Sequence, residues 1–289
     1  MTVPDTPVVA ACGLTKNYKG KKVLTGLSFE LAEGRLHGLL GRNGTGKSTL
    51  LGLLAGQIRS SGGKLQVFGK APFDNARVMD QVAYTGIDVP YPAAWSLREI
   101  TRAAELRYPN WDAAAAQRLA EDFGFDNRTR RYTRYGELSR GQRSMIGIIV
   151  GLAARAPLTL LDEPYLGLDV HNRELFYSAL LREVEGHPRT VVLATHHIEE
   201  SAKLLDNFLF LGRDGKLVHQ FSADDLDDAY VLVSGTSLPR IDAALARSEV
   251  AGRTRVLAPR EAVAGMRLGG ASVEAADLNQ VIPALLEEV

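Results

Sequence analysis

The chain has 289 residues, 45% of them hydrophobic, which is enough to bury a sizeable core. Its 34 basic and 34 acidic residues leave a formal net charge of +0, so overall charge gives no reason to expect a nucleic acid or an anionic membrane surface as partner. Cys12 is the single cysteine, which excludes an internal disulfide and suits a reducing cytosol, and no window approaches the ~18 uncharged apolar residues of a membrane helix.

In chain order, the opening M-T-V-P-D-T-P lacks the charged-then-apolar pattern of a signal peptide. Short strands are expected at Val8–Ala11, Ser28–Leu31 and Leu36–Leu40, with turn signals at Lys19-Gly20 and Ala32-Glu33-Gly34 between them. The apolar run Leu36–Leu40 leads directly into Gly41, Arg42, Asn43, Gly44, Thr45, Gly46, Lys47, Ser48 and Thr49, which fits G-x-x-x-x-G-K-[ST]. The glycines of such a loop let backbone N–H groups crowd around phosphate oxygens. Lys47 would reach the β- and γ-phosphates, and Ser48 would offer its hydroxyl to Mg²⁺. A helix expected over Ser48–Gly56 places that phosphate at a helix N-terminus.

Residues 64–69 and 82–85 add strand candidates. From Ser96 the pattern turns helical, at Leu97–Leu106 and again at Asp112–Phe123, where Asp112 is placed as an N-cap. Arg143–Ala154 is apolar nearly all round and reads as a buried helix. Leu158–Leu161 and Thr190–Ala194 return as apolar runs suited to the inner strands of a parallel sheet. The alternation predicts an α/β core with a helical insertion at about 90–150. From about residue 221 a small second α/β unit is expected, with strands at Tyr230–Val233 and Arg255–Leu257 and helices at Leu238–Ser248 and Ala275–Val289.

Two further constellations carry chemistry. The strand Leu158–Leu161 ends in Asp162 and Glu163, beside the phosphate loop in such a fold. There Asp162 would hold Mg²⁺ through its hydration shell, and Glu163, facing differently, would accept a proton from an attacking water. Ser139 is a good N-cap for a helix whose N-terminus is a second anion site, 23 residues before Asp162. One nucleotide rarely needs two such helix starts, so the second is read as serving a nucleotide held by another subunit.

Together these residues resemble the ATP-binding subunit of ATP-binding-cassette (ABC) transporters, from about Val8 to Gly215 and with the motifs in the family's order. Gly41–Thr49 matches the Walker A loop and Leu158–Glu163 the Walker B strand. Leu138–Gln142 is similar to the family signature, which brings Ser139, Gly141 and Gln142 to the nucleotide, with Arg140 where glycine is commonest. Gly167-Leu168-Asp169 resembles the D-loop. His196, which follows Ala194-Thr195 and lies 33 residues after Glu163, resembles the switch histidine. Tyr18 falls where the family stacks an aromatic ring on adenine. His37, His171, His187 and His219 have no such context.

The resemblance implies a P-loop NTPase core with an antiparallel β subdomain and a helical insertion, over about 1–220, and a small C-terminal α/β appendage over 221–289. It implies ATP and Mg²⁺ as cofactors. The partners implied are a second ATP-binding subunit, in a homo- or heterodimer, and an integral membrane permease, with no nucleic acid. The chain would then be cytoplasmic, peripheral on the inner face of the membrane through its permease, and would power transport, read here as export. One departure stands out. Counting back from Ser96-Leu97-Arg98-Glu99, the family's loop glutamine falls at Ile87, which cannot make a side-chain hydrogen bond, although Asp88 follows it. That keeps a nucleotide-gated regulatory or non-transport ATPase with weak hydrolysis as the alternative. Tyr91, Pro92, Trp95 and Leu97 form an aromatic–apolar strip, read either as loop packing or as a groove for a short helix of the membrane subunit. The basic run Arg128–Arg134 is read as a solvated face.

Overall fold

A computed structural model of the chain describes residues 7–86, 89–196, 202–250 and 252–288. Strands β1 (Val9–Tyr18) and β2 (Lys21–Leu31) pair as an antiparallel hairpin. β3 (Leu36–Leu40) then runs through the glycine-rich loop into α1 (Lys47–Leu54). β4 (Gly62–Val67) pairs antiparallel with β1, which completes a three-stranded sheet in the order β2-β1-β4. A short α2 (Ala76–Met79) precedes β5 (Val82–Gly86).

The helical insertion follows as α3 (Leu97–Arg107), α4 (Ala113–Asp122), α5 (Asn127–Tyr132) and α6 (Arg140–Ala153). Its starts are written into the sequence. Ser96 and Glu99 form a reciprocal capping box at α3, and the Asp112 carboxylate accepts from the N–H groups of Ala114 and Ala115 at α4. α6 buries ten consecutive residues, Ser144–Ala153, and hands the chain to β6 (Leu158–Asp162).

Next come α7 (Val170–Gly186), β7 (Thr190–Thr195), β8 (Asn207–Leu211) and β9 (Leu217–Ser222). The central sheet has the order β5-β6-β7-β3-β8-β9, parallel except for β9. Every residue of β3, β6 and β7 is buried, as their unbroken apolar runs require when both sheet faces are covered. Register aligns the strand ends: Leu40 faces Thr195, Asp162 faces Ala194 and Gly86 faces Asp162. Consequently the glycine-rich loop, Glu163 and His196 all leave the sheet at its C-terminal edge, where open α/β sheets bind ligands.

The remainder is α8 (Ala223–Ala229), β10 (Tyr230–Gly235), β11 (Ala246–Val250), β12 (Arg253–Pro259), α9 (Arg260–Val263), β13 (Ser272–Ala275) and α10 (Leu278–Glu288). Its strands form an antiparallel sheet in the order β11-β12-β10-β13 around a small core that includes Val231, Val233, Val256 and Ala258. Val281, Ile282 and Leu285 of α10 are fully buried in the same hydrophobic cluster as Ala202, Leu205 and Phe208. The helix expected over Leu238–Ser248 is not formed. Pro239 follows its first residue, and Leu245 N–H donates to the Leu257 carbonyl, so the end of the segment becomes β11 in a hairpin with β12. Pairing outweighs the helix propensity of a short Ala-rich run. The helix expected over Ala275–Val289 begins later, because Ala275 belongs to β13.

Candidate nucleotide-binding site

The glycine-rich loop is shaped by backbone conformations open only to glycine. Gly46, at φ 106°, caps α1, and a Cβ there would lie 2.8 Å from a Leu24 side-chain carbon and 3.2 Å from the Val23 carbonyl. Thr45 is buried and its hydroxyl donates to the Arg42 carbonyl at 3.0 Å, which ties the turn to itself. Arg42, Asn43, Gly44 and Ser48 are exposed, and Thr49 is half-buried. Lys47 is the first residue of α1 and only 6% exposed. Its ammonium donates to the carbonyls of Gly41 at 2.8 Å and Arg42 at 3.2 Å, and lies 3.4 Å from Glu163 Oε1.

Glu163 follows β6 in the left-handed region, at φ 47°, and its N–H donates to the Ala194 carbonyl at 3.1 Å. That turn aims the carboxylate across the sheet edge rather than along the strand. His196 Nδ1 lies 2.9 Å from both Oε1 and Oε2, so the group reads as an N–H donor to the carboxylate. Tyr165 donates its hydroxyl to Oε2 at 3.3 Å. Lys47 and His196, from two other segments, thus converge with Tyr165 on the Glu163 carboxylate.

Asp162 lies one residue back, 6% exposed, facing a different way. Burial raises its carboxyl above the usual carboxylate range, the neighbouring Glu163 charge adds to this, and the Ser48 hydroxyl, the Tyr84 hydroxyl and Lys47 oppose it. Tyr84 donates to Oδ2 at 3.2 Å, whereas Oδ1 is buried with no hydrogen-bond partner among the described residues. A buried carboxylate oxygen left unsatisfied beside a hydroxyl is a donor set that suits a hard cation.

Ser139 caps α6 through a capping box with Gln142, each side chain bonded to the other's backbone N–H. Among the described residues no hydrogen bond or ion pair joins Ser139–Gln142 to Gly41–Thr49. The start of α6 instead abuts the turn before α7: a Cβ on Gly141 would lie 2.5 Å from the Gly167 carbonyl, and the Ser144 hydroxyl donates to the Leu166 carbonyl at 2.6 Å. Tyr18 ends β1, 41% exposed, with the Lys16 ammonium 4.6 Å from its ring centroid. Ile87, Asp88 and His197 lie outside the described residues.

The aromatic strip divides. Leu97 is buried and Tyr91 packs edge-on against Tyr135, with centroids 5.6 Å apart, while Pro92 and Trp95 face solvent. The basic run is drawn into local partners, as in Arg134–Glu99 at 3.0 Å and Arg130–Glu121 at 3.7 Å. Sequence reasoning missed Tyr84, Ser144 and Tyr165. The only available signal was a tyrosine inside an apolar strand and another just after a carboxylate pair.

Residues 24–166 match the family profile described as ABC transporter. An uncharacterized ABC transporter ATP-binding protein of Methanocaldococcus jannaschii is 30% identical over 233 residues, 76% of this chain and 79% of the relative. The ABC transporter ATP-binding protein YtrB of Bacillus subtilis is 27% identical over 220 residues, 76% of this chain and 74% of the relative. Relatives also include a ribose import and a Nod factor export ATP-binding protein. The fold is similar to the dimeric structure of an ATP-binding cassette in a post-hydrolysis state bound to ADP and Pi, at 21% identity and TM-score 0.64, over 74% of this chain and 98% of that one.

Proposed function

The chain belongs to the ABC transporter family, whose ATP-binding subunits are dimerising ATPases that work with membrane permeases, and on that premise we propose which residues act here. The carrying observation is the convergence of Lys47, Glu163 and His196 at the sheet edge. Gly41, Arg42, Asn43, Gly44, Thr45, Gly46 and Thr49 form the phosphate cradle, and Lys47 leaves Glu163 for the β- and γ-phosphates. Ser48 and, through water, Asp162 would hold Mg²⁺, which would supply charge neutralisation on the phosphate oxygens; the Oδ1 of Asp162, without a hydrogen-bond partner among the described residues, supports that reading.

Glu163 orients the attacking water and draws its proton, while His196 turns toward the γ-phosphate. Ser139, Gly141 and Gln142 complete the site of a second ATP-binding subunit, identical or not. Tyr18 offers its exposed ring to adenine. Residues 1–220 form the ATPase domain, with the helical subdomain at about 90–150, and residues 221–289 an accessory unit. No helix among the described residues is long and apolar enough to cross a membrane. The proposed membrane association, on the inner face through a permease partner, rests on the family. Export is the direction assigned, by analogy of a single cassette and short appendage with exporter subunits.

The deciding test is Glu163→Gln. ATP should drive a stable dimer of this variant while steady-state phosphate release falls by about a hundredfold or more. A persistent monomer that still hydrolyses ATP defeats the assignment. Ile87, at the family's glutamine position, favours one second reading, a nucleotide-gated subunit with little hydrolysis. Phosphate release by the unmodified chain at saturating ATP separates the two.

A further inference from the structure

We infer that Tyr165 is a positioning residue for Glu163, holding the carboxylate in place while its other partners are engaged by nucleotide; this rests on the reading of the site given above. Among the described residues three side chains contact the Glu163 carboxylate: Lys47 at 3.4 Å, His196 at 2.9 Å and Tyr165 at 3.3 Å. Two of them have work at the phosphates. When Lys47 turns to the β- and γ-phosphates and His196 to the γ-phosphate, the carboxylate loses a cation and its closest donor. Tyr165 has no phosphate to serve, so its hydrogen bond is the one that persists through turnover.

The hydroxyl is placed by packing rather than by ligand. Glu163, in its left-handed conformation, opens a tight turn closed by the Leu166 N–H donating to the Glu163 carbonyl at 3.1 Å. The turn folds Tyr165 back toward the carboxylate two residues upstream. Its ring is 3% exposed and tilts against Tyr177 of α7, with centroids 6.5 Å apart. A clamped ring leaves the phenolic oxygen little freedom. Bonded at Oε2, the carboxylate has its rotation about the last side-chain bond fixed, which leaves Oε1 free to take the proton of a water.

Tyr165→Phe removes the hydroxyl and keeps the ring, so the fold survives. The expected result is a kcat lower by about tenfold or more, with KM for ATP and the melting midpoint unchanged. In a Glu163→Gln background the same substitution should leave ATP-driven dimerisation unaltered, because the carboxylate it positions is gone. A Tyr165→Phe variant with unmodified kcat, or one whose loss lies in KM, overturns the inference. Glu163→Gln alone, measured alongside, separates the two levels: if that variant hydrolyses normally the reading of the site fails, and if only Tyr165→Phe does, the site stands and the positioning role falls.

Discussion

Gly141 and Gly167 touch backbone to backbone: a methyl group on Gly141 would lie 2.5 Å from the Gly167 carbonyl oxygen, closer than any real contact. The start of α6 and the turn leading into α7 are therefore fastened together, with the bond from Ser144 to the Leu166 carbonyl just below. In the proposed dimer both segments face the partner subunit, so they reach it as one body.

Gly141→Ala should break that fit. The added carbon meets backbone, which cannot swing aside as a side chain can. A single chain should still bind ATP with ordinary affinity, since Gly41–Thr49 is untouched. Hydrolysis should fall by about tenfold or more, because a shift of the order of 1 Å in a composite site has that cost. Phosphate release and equilibrium binding of a fluorescent ATP analogue, measured together, check the prediction; equal losses in both would contradict it.

Asp162 should make stability depend on pH in a direction opposite to a salt-bridged aspartate. Burial raises its carboxyl, so the folded protein holds this proton more tightly than the unfolded chain does. The stabilisation is full below the ordinary carboxylate pKa of about 4 and is lost as pH rises through the raised folded value. Without added nucleotide or Mg²⁺, Asp162→Asn should match the unmodified protein in acid and melt higher near neutral pH. Thermal melts across that range are the measurement, and a variant destabilised at neutral pH counts against it.

Arg189 offers a stability prediction away from the site. It is 4% exposed, and all three guanidinium nitrogens are buried with no hydrogen-bond partner among the described residues. Glu183 attracts it but already faces Arg118 at 3.3 Å, Arg182 at 3.7 Å and Arg155 at 4.0 Å. Burial lowers the Arg189 pKa to about 10, which still leaves it charged at neutral pH, so the cost of burial is present there. Arg189→Met should stabilise the fold by about 1–4 kcal/mol, read as a higher urea midpoint at constant slope. A lower midpoint would show that the guanidinium has a role the packing does not reveal.

Local rules made much of this fold legible in the sequence. The strand Leu36–Leu40, the glycine loop and the helix after it are encoded within one short window, and Ser96 and Asp112 announce their helices by capping chemistry. Where a remote partner decides the outcome, the reading failed: the end of Leu238–Ser248 pairs with β12 instead of coiling into a helix. The same limit hid Tyr165. Its meaning depends on a left-handed turn at Glu163 and on a ring from α7, and neither is visible in the residues beside it. Leu97 and Tyr91 look alike as parts of an apolar strip, yet one joins the core and the other meets Tyr135 edge-on.

The pairing of Lys47 with Glu163 also bears on which molecules gain admission. A ligand that takes Lys47 must outcompete a carboxylate 3.4 Å away, in a pocket where both charges are mostly shielded from water. Adenosine brings a purine but no anion to exchange, whereas a triphosphate delivers several oxygens at once. In the proposed site the pair would therefore act against nucleosides, which bring no phosphate to exchange for the Glu163 carboxylate.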